Sequence, residues 1–420
     1  MVQLLILADD LTGCMDTGVQ FAKAGIRTRV CLFSDINEAV MGQCDAPVMV
    51  IDTESRHLSA VEAARRIMKL TRQAVRAGIS YLYKKTDSTL RGNIGSELTA
   101  MLECSGTQEL IFVPAYPSLG RYTISGCQYV GSLPLHRSSF ADDPFHPIQH
   151  SEIPKIIAQQ SSIRTSSVSW QDLQKAAVPQ EGLQVLVVDA ATDAELSAIG
   201  HTLRETGRLR CLAGCAGFAA VLPKLLNLPR SPLPLVVGGG YRLLVSGSLH
   251  PQAKAQCAFA VKACSYHGIP RTAAQLMAAE PSIPLPVESL TLPHNKLLLY
   301  AAESRDTVST DPNVLHANAA AVAAGFGNCV RALTECSAPG SLTVFGGDTL
   351  FGILHALQVR WIEPICEIVP GVACSLLHRN HLQIPIISKA GGFGSEDVVS
   401  QIDHFLDSRQ QTPVHMEVSS

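Results

Sequence analysis

A two-domain α/β protein, each domain a mostly parallel sheet flanked by helices, is the fold this sequence predicts. Short apolar β-like runs alternate with helical patterns across short links, which is the signature of a parallel, helix-covered sheet. A Pro/Gly-rich break past the middle is followed by the same alternation. At 420 residues the chain is too long for one ordinary core, and the length suggests roughly two or three domains.

The elements can be taken in order. The runs LLILA (4–8), RTRVCLF (27–33), PVMVID (47–52), ISYLYKK (79–85) and ELIFVPA (109–115) read as strands. Between the third and fourth, Ser59 and Glu62 form a capping-box pattern, and Ala60, Ala63, Ala64, Ile67, Met68 and Val75 keep helical spacing. Gly78 ends that helix and Gly25 the first one, because glycine tolerates the left-handed conformation of a helix end. LQVLVVDA (183–190) and RLRCLAG (208–214) continue the alternation, which breaks at LPRSPLPLVVGGG (228–240). Proline stiffens and glycine loosens a chain there, so the domains are expected at 1–228 and 241–420, joined by a linker at 229–240. The second unit runs through YRLLVSGS, KLLLYAAE, LTVFGGDT and PIISKAGGFG, with a Pro-rich surface loop at 280–293. Crossovers of one hand bring the C-terminal ends of all parallel strands to one edge, where ligands of such sheets bind.

Composition narrows the function. With 46% hydrophobic and 16% charged residues, disorder is not expected, and a net charge of −3 argues against a general nucleic-acid binder. No apolar run is long enough to span a membrane, and Asp9 and Asp10 interrupt an N-terminal stretch that lacks the basic start of a secretory signal. The 13 cysteines include no C-x-x-C pair, so reduced, buried thiols and a cytoplasmic location are expected. A homodimer is compatible with this size and composition.

Four polar constellations follow strands of the first domain: Asp9, Asp10, Thr12, Gly13 and Asp16; Asp52, Glu54 and Arg56; KKTDSTLRGNIGSE (84–97); and PAYPSLGRYTISG (114–126). A carboxylate after a strand is commonly just a helix N-cap. Four such groups on one edge point instead to a ligand: Lys and Arg suit a carboxylate or phosphate, Asp and Ser suit hydroxyls. The implied ligand is small, anionic and polyhydroxylated. The second domain has three strand-to-helix turns, VSGSLHPQ (245–252), GGDT with Asp348 opening a helix, and KAGGFGSE with Ser395 as its N-cap. Glycines let backbone approach a phosphate, and helix N-termini offer it free N–H groups. The P-loop pattern is absent, and no second strand with a ribose-binding acid follows GGFG.

The motifs ADDLTGCMDTGVQF, KKTDSTLRGNIGSE, GGDT and KAGGFG resemble those of the four-carbon acid sugar kinases, over nearly the whole chain. The resemblance implies an N-terminal acid-sugar-binding domain, a C-terminal nucleotide-binding domain and an active site in the cleft between them. The implied reaction is ATP-dependent phosphorylation of the 4-hydroxyl of D-threonate, D-erythronate or a 3-oxo-tetronate. Around the substrate it places Asp10, Arg56, Lys85, Thr86, Asp87 and Ser88, with Asp9 beside them. Around ATP it places Ser248, Gly346, Gly347, Asp348, Gly391, Gly392, Phe393 and Gly394. Cys14, Met15, Leu249 and His250 depart from the residues expected at their positions.

Asp10 or Asp87 would accept the hydroxyl proton, with Asp10 favoured. Arg56 and Lys85 would hold the carboxylate, or Lys85 would face the transferring phosphoryl group. Mg²⁺ is expected with ATP, and Asp348 is one candidate carboxylate for it. The linker suggests closure on binding. Two rival readings are an NAD(P)-dependent hydroxy-acid oxidoreductase and a non-enzymatic sugar-acid sensor regulated by nucleotide. The 14 histidines, among them His57, His136, His146, His250, His378 and His381, form no metal-binding pair by spacing.

Overall fold

Apolar runs buried on both faces require strands covered by helices on each side, and the computed structural model has that arrangement twice. It describes residues 1–32, 36, 38–141, 143, 146–231, 239–278, 295–302, 312–379 and 382–410. The Pro-rich 280–293 segment, Asp142, His381 and most of the expected linker (232–238) lie outside the described residues. The chain divides into two units, Met1–Pro232 and Leu233–Ser420.

The first unit opens with β1 (Leu4–Ala8), α1 (Leu11–Lys23), β2 (Thr28–Leu32), α2 (Glu38–Gln43) and β3 (Val48–Asp52). It continues through α3 (Ala60–Arg76), β4 (Tyr81–Lys85), α4 (Ile94–Ser105) and β5 (Glu109–Val113). A meander of β6 (Arg121–Ile124), β7 (Cys127–Val130) and β8 (Leu133–Pro134) precedes α5 (Ile153–Ala158) and β9 (Arg164–Val168). β10 (Gln184–Val188), α6 (Asp193–Glu205), β11 (Cys211–Gly214), α7 (Ala216–Ala219) and α8 (Leu222–Leu225) complete it. The strands of its sheet run β2-β3-β1-β4-β11-β5-β10-β9, and every neighbouring pair is parallel. Register sets the site: Ala8 lies beside Asp52 and Lys85, Lys85 beside Gly214, and Gly214 beside Val113. The tips of β3, β1, β4, β11 and β5 therefore share one edge.

The second unit contains β12 (Arg242–Ser246), α9 (Pro251–Ala263), β13 (His267–Arg271), α10 (Ala273–Met277), β14 (Lys296–Ala301) and α11 (Pro312–Cys336). Then come β15 (Ser341–Phe345), α12 (Gly347–Ala356), β16 (Trp361–Val369), β17 (Val372–Arg379), β18 (Leu382–Lys389) and α13 (Val398–Gln410). In the order β13-β14-β12-β15-β18-β17-β16, the first five are parallel and the last two antiparallel. The two-domain α/β class is the one the sequence predicts. The hairpin of β16 and β17 was not foreseen, although Pro370-Gly371 marks its turn, with Gly371 at φ 79°.

Two local expectations need correction. The Ser59 side chain accepts from Glu62 N, but the Glu62 carboxylate turns to Arg65, so only half of the capping box forms. Ser395 does not cap the last helix; α13 starts at Val398, and the Ser395 hydroxyl bonds Asp397.

Candidate functional site

In the first unit the site is built from strand tips. Asp10 caps α1, its Oδ1 accepting from Gly13 N at 2.8 Å, and its Oδ2 accepts from Arg56 Nη1 at 2.6 Å. Arg56, beyond β3, also donates Nε to Asp9 Oδ2 at 2.7 Å, and its Nη2 lies 3.9 Å from Asp87 Oδ1. The Asp87 carboxylate receives Nε and Nη2 of Arg91 at 2.8 and 3.0 Å, together with the amide and hydroxyl of Thr89. Arg91 reaches on to Asp143 at 3.1 Å. Lys85 is buried and donates Nζ to Thr86 O at 2.9 Å. Thr86 donates its amide to Gly214 O, while Ser88 O accepts from Gln128 of β7. Asp9, Asp10, Arg56 and Asp87 are thus joined directly, with Lys85, Thr86 and Ser88 on the same strand tip and the turn after it.

Electrostatics follows from these contacts. Burial works to raise the Asp87 carboxyl, but Arg56 and Arg91 outweigh it and hold it far below the ordinary carboxylate range. Asp9 is likewise held low against burial, by Arg56, Lys84 and Lys85. Burial opposes the Lys85 ammonium, yet Asp9, Asp10 and Asp16 raise its pKa above the usual lysine value. Asp52 goes the other way: burial, with Asp10 nearby, pushes its carboxyl well above the usual range and favours the neutral form. Glu54 and Leu90, in the turns after β3 and β4, hold left-handed φ of 48° and 58°, strain of a kind that gathers at ligand sites.

Gly13 is required by this geometry. A Cβ there would lie 2.6 Å from Asp10 Oδ1 and 2.9 Å from Lys85 Nζ.

In the second unit Ser246, Phe345 and Lys389 are in register at the ends of β12, β15 and β18, so the three glycine turns are neighbours. A Cβ on Gly391 would meet Ser248 Oγ at 2.3 Å, and one on Gly392 would meet His250 Nε2 at 3.2 Å. Gly346, at φ 109°, precedes α12, leaving Gly347 and exposed Asp348 in its first turn. Phe393 is exposed and packs on Gly371 at the tip of the β16–β17 hairpin.

Several residues that the sequence reading passed over support this turn. Lys389 Nζ donates to the carbonyls of Ala390, Gly391 and Phe393, and burial lowers its pKa to about 8. Gln256 Nε2 donates to Phe393 O, Gly394 O and Ser395 O, and Gln252 Nε2 to Gly394 O. These bonds occupy the carbonyls of Ala390, Gly391, Phe393, Gly394 and Ser395, and the amide of Phe393 closes the turn on Ala390 O; glycine turns of this kind can offer their remaining amides to an anion. His250 caps α9 through Nδ1. Arg271, buried at the C-terminal tip of β13, has Nε and Nη2 without an acceptor among the described residues. The KAGGFG motif pointed at Lys389; Gln256 and Arg271 carry no local signal. No cluster of three or more His, Cys, Asp or Glu side chains able to hold a metal occurs among the described residues, and no helix there is long and apolar enough to cross a membrane.

Comparison with known proteins adds the lineage. Residues 4–222 match a sugar-binding N-terminal domain family, and residues 243–399 match a nucleotide-binding C-terminal domain family. The chain is 30% identical to the D-threonate kinase of Salmonella typhimurium, across 97% of this chain and 99% of that one. It is 28% identical to the D-erythronate kinase of Heliobacterium modesticaldum, across 97% and 98%. A crystal structure of a Salmonella typhimurium LT2 protein shares the fold, with a TM-score of 0.78 at 21% identity over 96% of this chain and 100% of that one. Two domain families matched in order, and relatives matched end to end, make this chain a member of the four-carbon acid sugar kinase family.

Proposed function

We propose that the protein is an ATP-dependent kinase that phosphorylates the 4-hydroxyl of a four-carbon sugar acid, D-threonate first among the candidates. The observation that carries this reading is the linked set of Asp9, Asp10, Arg56 and Asp87 at the tips of β1, β3 and β4, in a domain of the sugar-binding family. Asp10, Arg56, Lys85, Thr86, Asp87 and Ser88 form the acid-sugar face. Ser248, Gly346, Gly347, Asp348 and Gly391 to Gly394 form the nucleotide face.

Phosphoryl transfer needs alignment and charge neutralisation more than covalent help. Asp10 is the base in this reading. Each of its oxygens accepts one bond, whereas Asp87 is saturated by Arg91 and Thr89, and the guanidinium groups of Arg56 and Arg91 hold its carboxyl low. Asp87 instead orients the two guanidinium groups. Lys85, its ammonium favoured by Asp9, Asp10 and Asp16, faces the transferring group. The glycine turns fit a polyphosphate, since a side chain at Gly391 would fill the space that Ser248 occupies. Mg²⁺ fits a site of this kind without a protein cage, because it is held mainly by phosphates and water with one or two carboxylates. Exposed Asp348 in the first turn of α12 would be that carboxylate, and the ion neutralises charge on the phosphates.

A coupled ADP-release screen over D-threonate, D-erythronate, their L-forms and 3-oxo-tetronates tests the reading. The expected result is ADP release dependent on one of these acids. Absence of release with all of them overturns the proposal.

A further inference from the structure

The acid-sugar edge holds more cations than its chemistry first requires, and they differ in what already occupies them. Arg56 is taken by Asp9 and Asp10, at 2.7 and 2.6 Å. Arg91 is taken by Asp87 and Asp143. Lys84 is sealed against Glu97 at 2.9 Å with no exposed side chain. Lys85 sits between Thr86 O and Gly13. Arg121, the first residue of β6, stands apart. Its Nη1 donates to Leu119 O at 2.6 Å, its buried Nε meets no acceptor, and no carboxylate pairs with it among the described residues.

Its position is fixed rather than loose. The Arg121 guanidinium lies 5.3 Å from the centre of the Phe140 ring, and that of Arg91 lies 5.6 Å from the same ring. The meander that carries Arg121 is anchored to the β4 turn, because buried Gln128 of β7 donates to Ser88 O at 3.1 Å while accepting from Thr123. Asp87 is close enough to act on the charge of Arg121. Two guanidinium groups therefore converge on one ring, and only that of Arg91 is in direct contact with carboxylates among the described residues. An arginine cannot shed its charge at any ordinary pH, and a half-buried guanidinium without a counter-ion is costly to keep.

On the reading of the reaction given above, we propose that Arg121 receives the substrate's carboxylate and so selects a sugar acid over the corresponding neutral polyol or amide. The planar fork of an arginine matches a carboxylate with two parallel bonds, which the point charge of a lysine does not reproduce. Arg56 then serves to fix Asp9 and Asp10, and the far end of the four-carbon chain is left for Asp10.

The test uses the full-length protein with a 4-deoxy-tetronate, which keeps the carboxylate but has no hydroxyl to phosphorylate, and with its primary amide, both titrated calorimetrically. The parent is expected to prefer the acid by roughly 10- to 100-fold, the range of a hydrogen-bonded charge. Arg121→Gln is expected to bind both at the amide's level, and its KM for the sugar acid rises by the same factor with the KM for ATP unchanged. Arg121→Lys retains a donor for Leu119 O and is expected to fold and to recover only part of the preference. A folded Arg121→Gln, or Arg121→Lys if the first variant does not fold, that keeps the parent's full acid-over-amide ratio overturns the assignment. That failure is distinct from failure of the kinase reading itself, which would appear as a parent releasing no ADP with any tetronate.

Discussion

At the scale of single residues, the site separates carboxylates by environment although all sit at strand tips. Asp87 is held by cations, Asp52 is isolated by burial, and Asp10 stands between them with one bond on each oxygen. Asp10→Asn is expected to lose about 10²–10⁴-fold in kcat with little change in melting temperature, the range of general-base catalysis. Asp87→Asn removes one of the two carboxylates that Arg91 pairs with and is expected to cost about 1–3 kcal/mol of stability, read by denaturant melts. Near-parent turnover in Asp10→Asn would remove the base assignment.

Asp52 makes the opposite kind of prediction. Burial raises its folded pKa above the unfolded value, so its contribution to stability is complete below the unfolded pKa of about 3.9 and is lost as pH rises toward the folded one. An amide in place of this carboxyl would be neutral throughout and keep an oxygen for Glu54 N. The Asp52→Asn variant is therefore expected to melt above the parent at pH 8, with the gap narrowing toward pH 5. A lower melting temperature at pH 8 contradicts the burial argument. The sequence displayed these carboxylates because they interrupt apolar runs. It could not rank them, since rank comes from partners far along the chain, as with Arg56 and Asp9.

At the scale of elements, α1 couples a helix start to the site. Gly13 lies inside the helix, where alanine normally stabilises by up to about 1 kcal/mol. A methyl group there would displace Asp10 and the Lys85 ammonium. Gly13→Ala is expected to keep or raise the melting temperature while kcat/KM for the acid falls at least tenfold; parent-like kinetics would show that the two side chains can relax without loss. The parallel strands were legible as unbroken apolar runs, because both faces are covered. β16 and β17 were not, since half-buried Cys366, Glu367 and Ile368 blur any period. The β6–β8 meander escaped for a simpler reason: its strands are four, four and two residues long. Arg121 was quoted within PAYPSLGRYTISG, but its missing counter-ion is a fact of three dimensions.

At the scale of the whole molecule, two units each carry one half of the proposed chemistry. Their substitutions should segregate. Arg121→Gln is expected to raise the KM for the sugar acid alone, and Gly391→Ala the KM for ATP alone, because its Cβ would collide with Ser248 Oγ. Steady-state kinetics with each ligand varied in turn checks this, and a variant that shifts both constants equally would contradict the division. The two-domain α/β class was readable from length and alternation.

Lys389, Gln252 and Gln256 hold the carbonyls of Ala390, Gly391, Phe393, Gly394 and Ser395. Glycines supply freedom rather than shape, so anyone transplanting this hexapeptide into another scaffold would have to transplant the lysine and both glutamines with it. Copied alone, the glycines would give a slack tether.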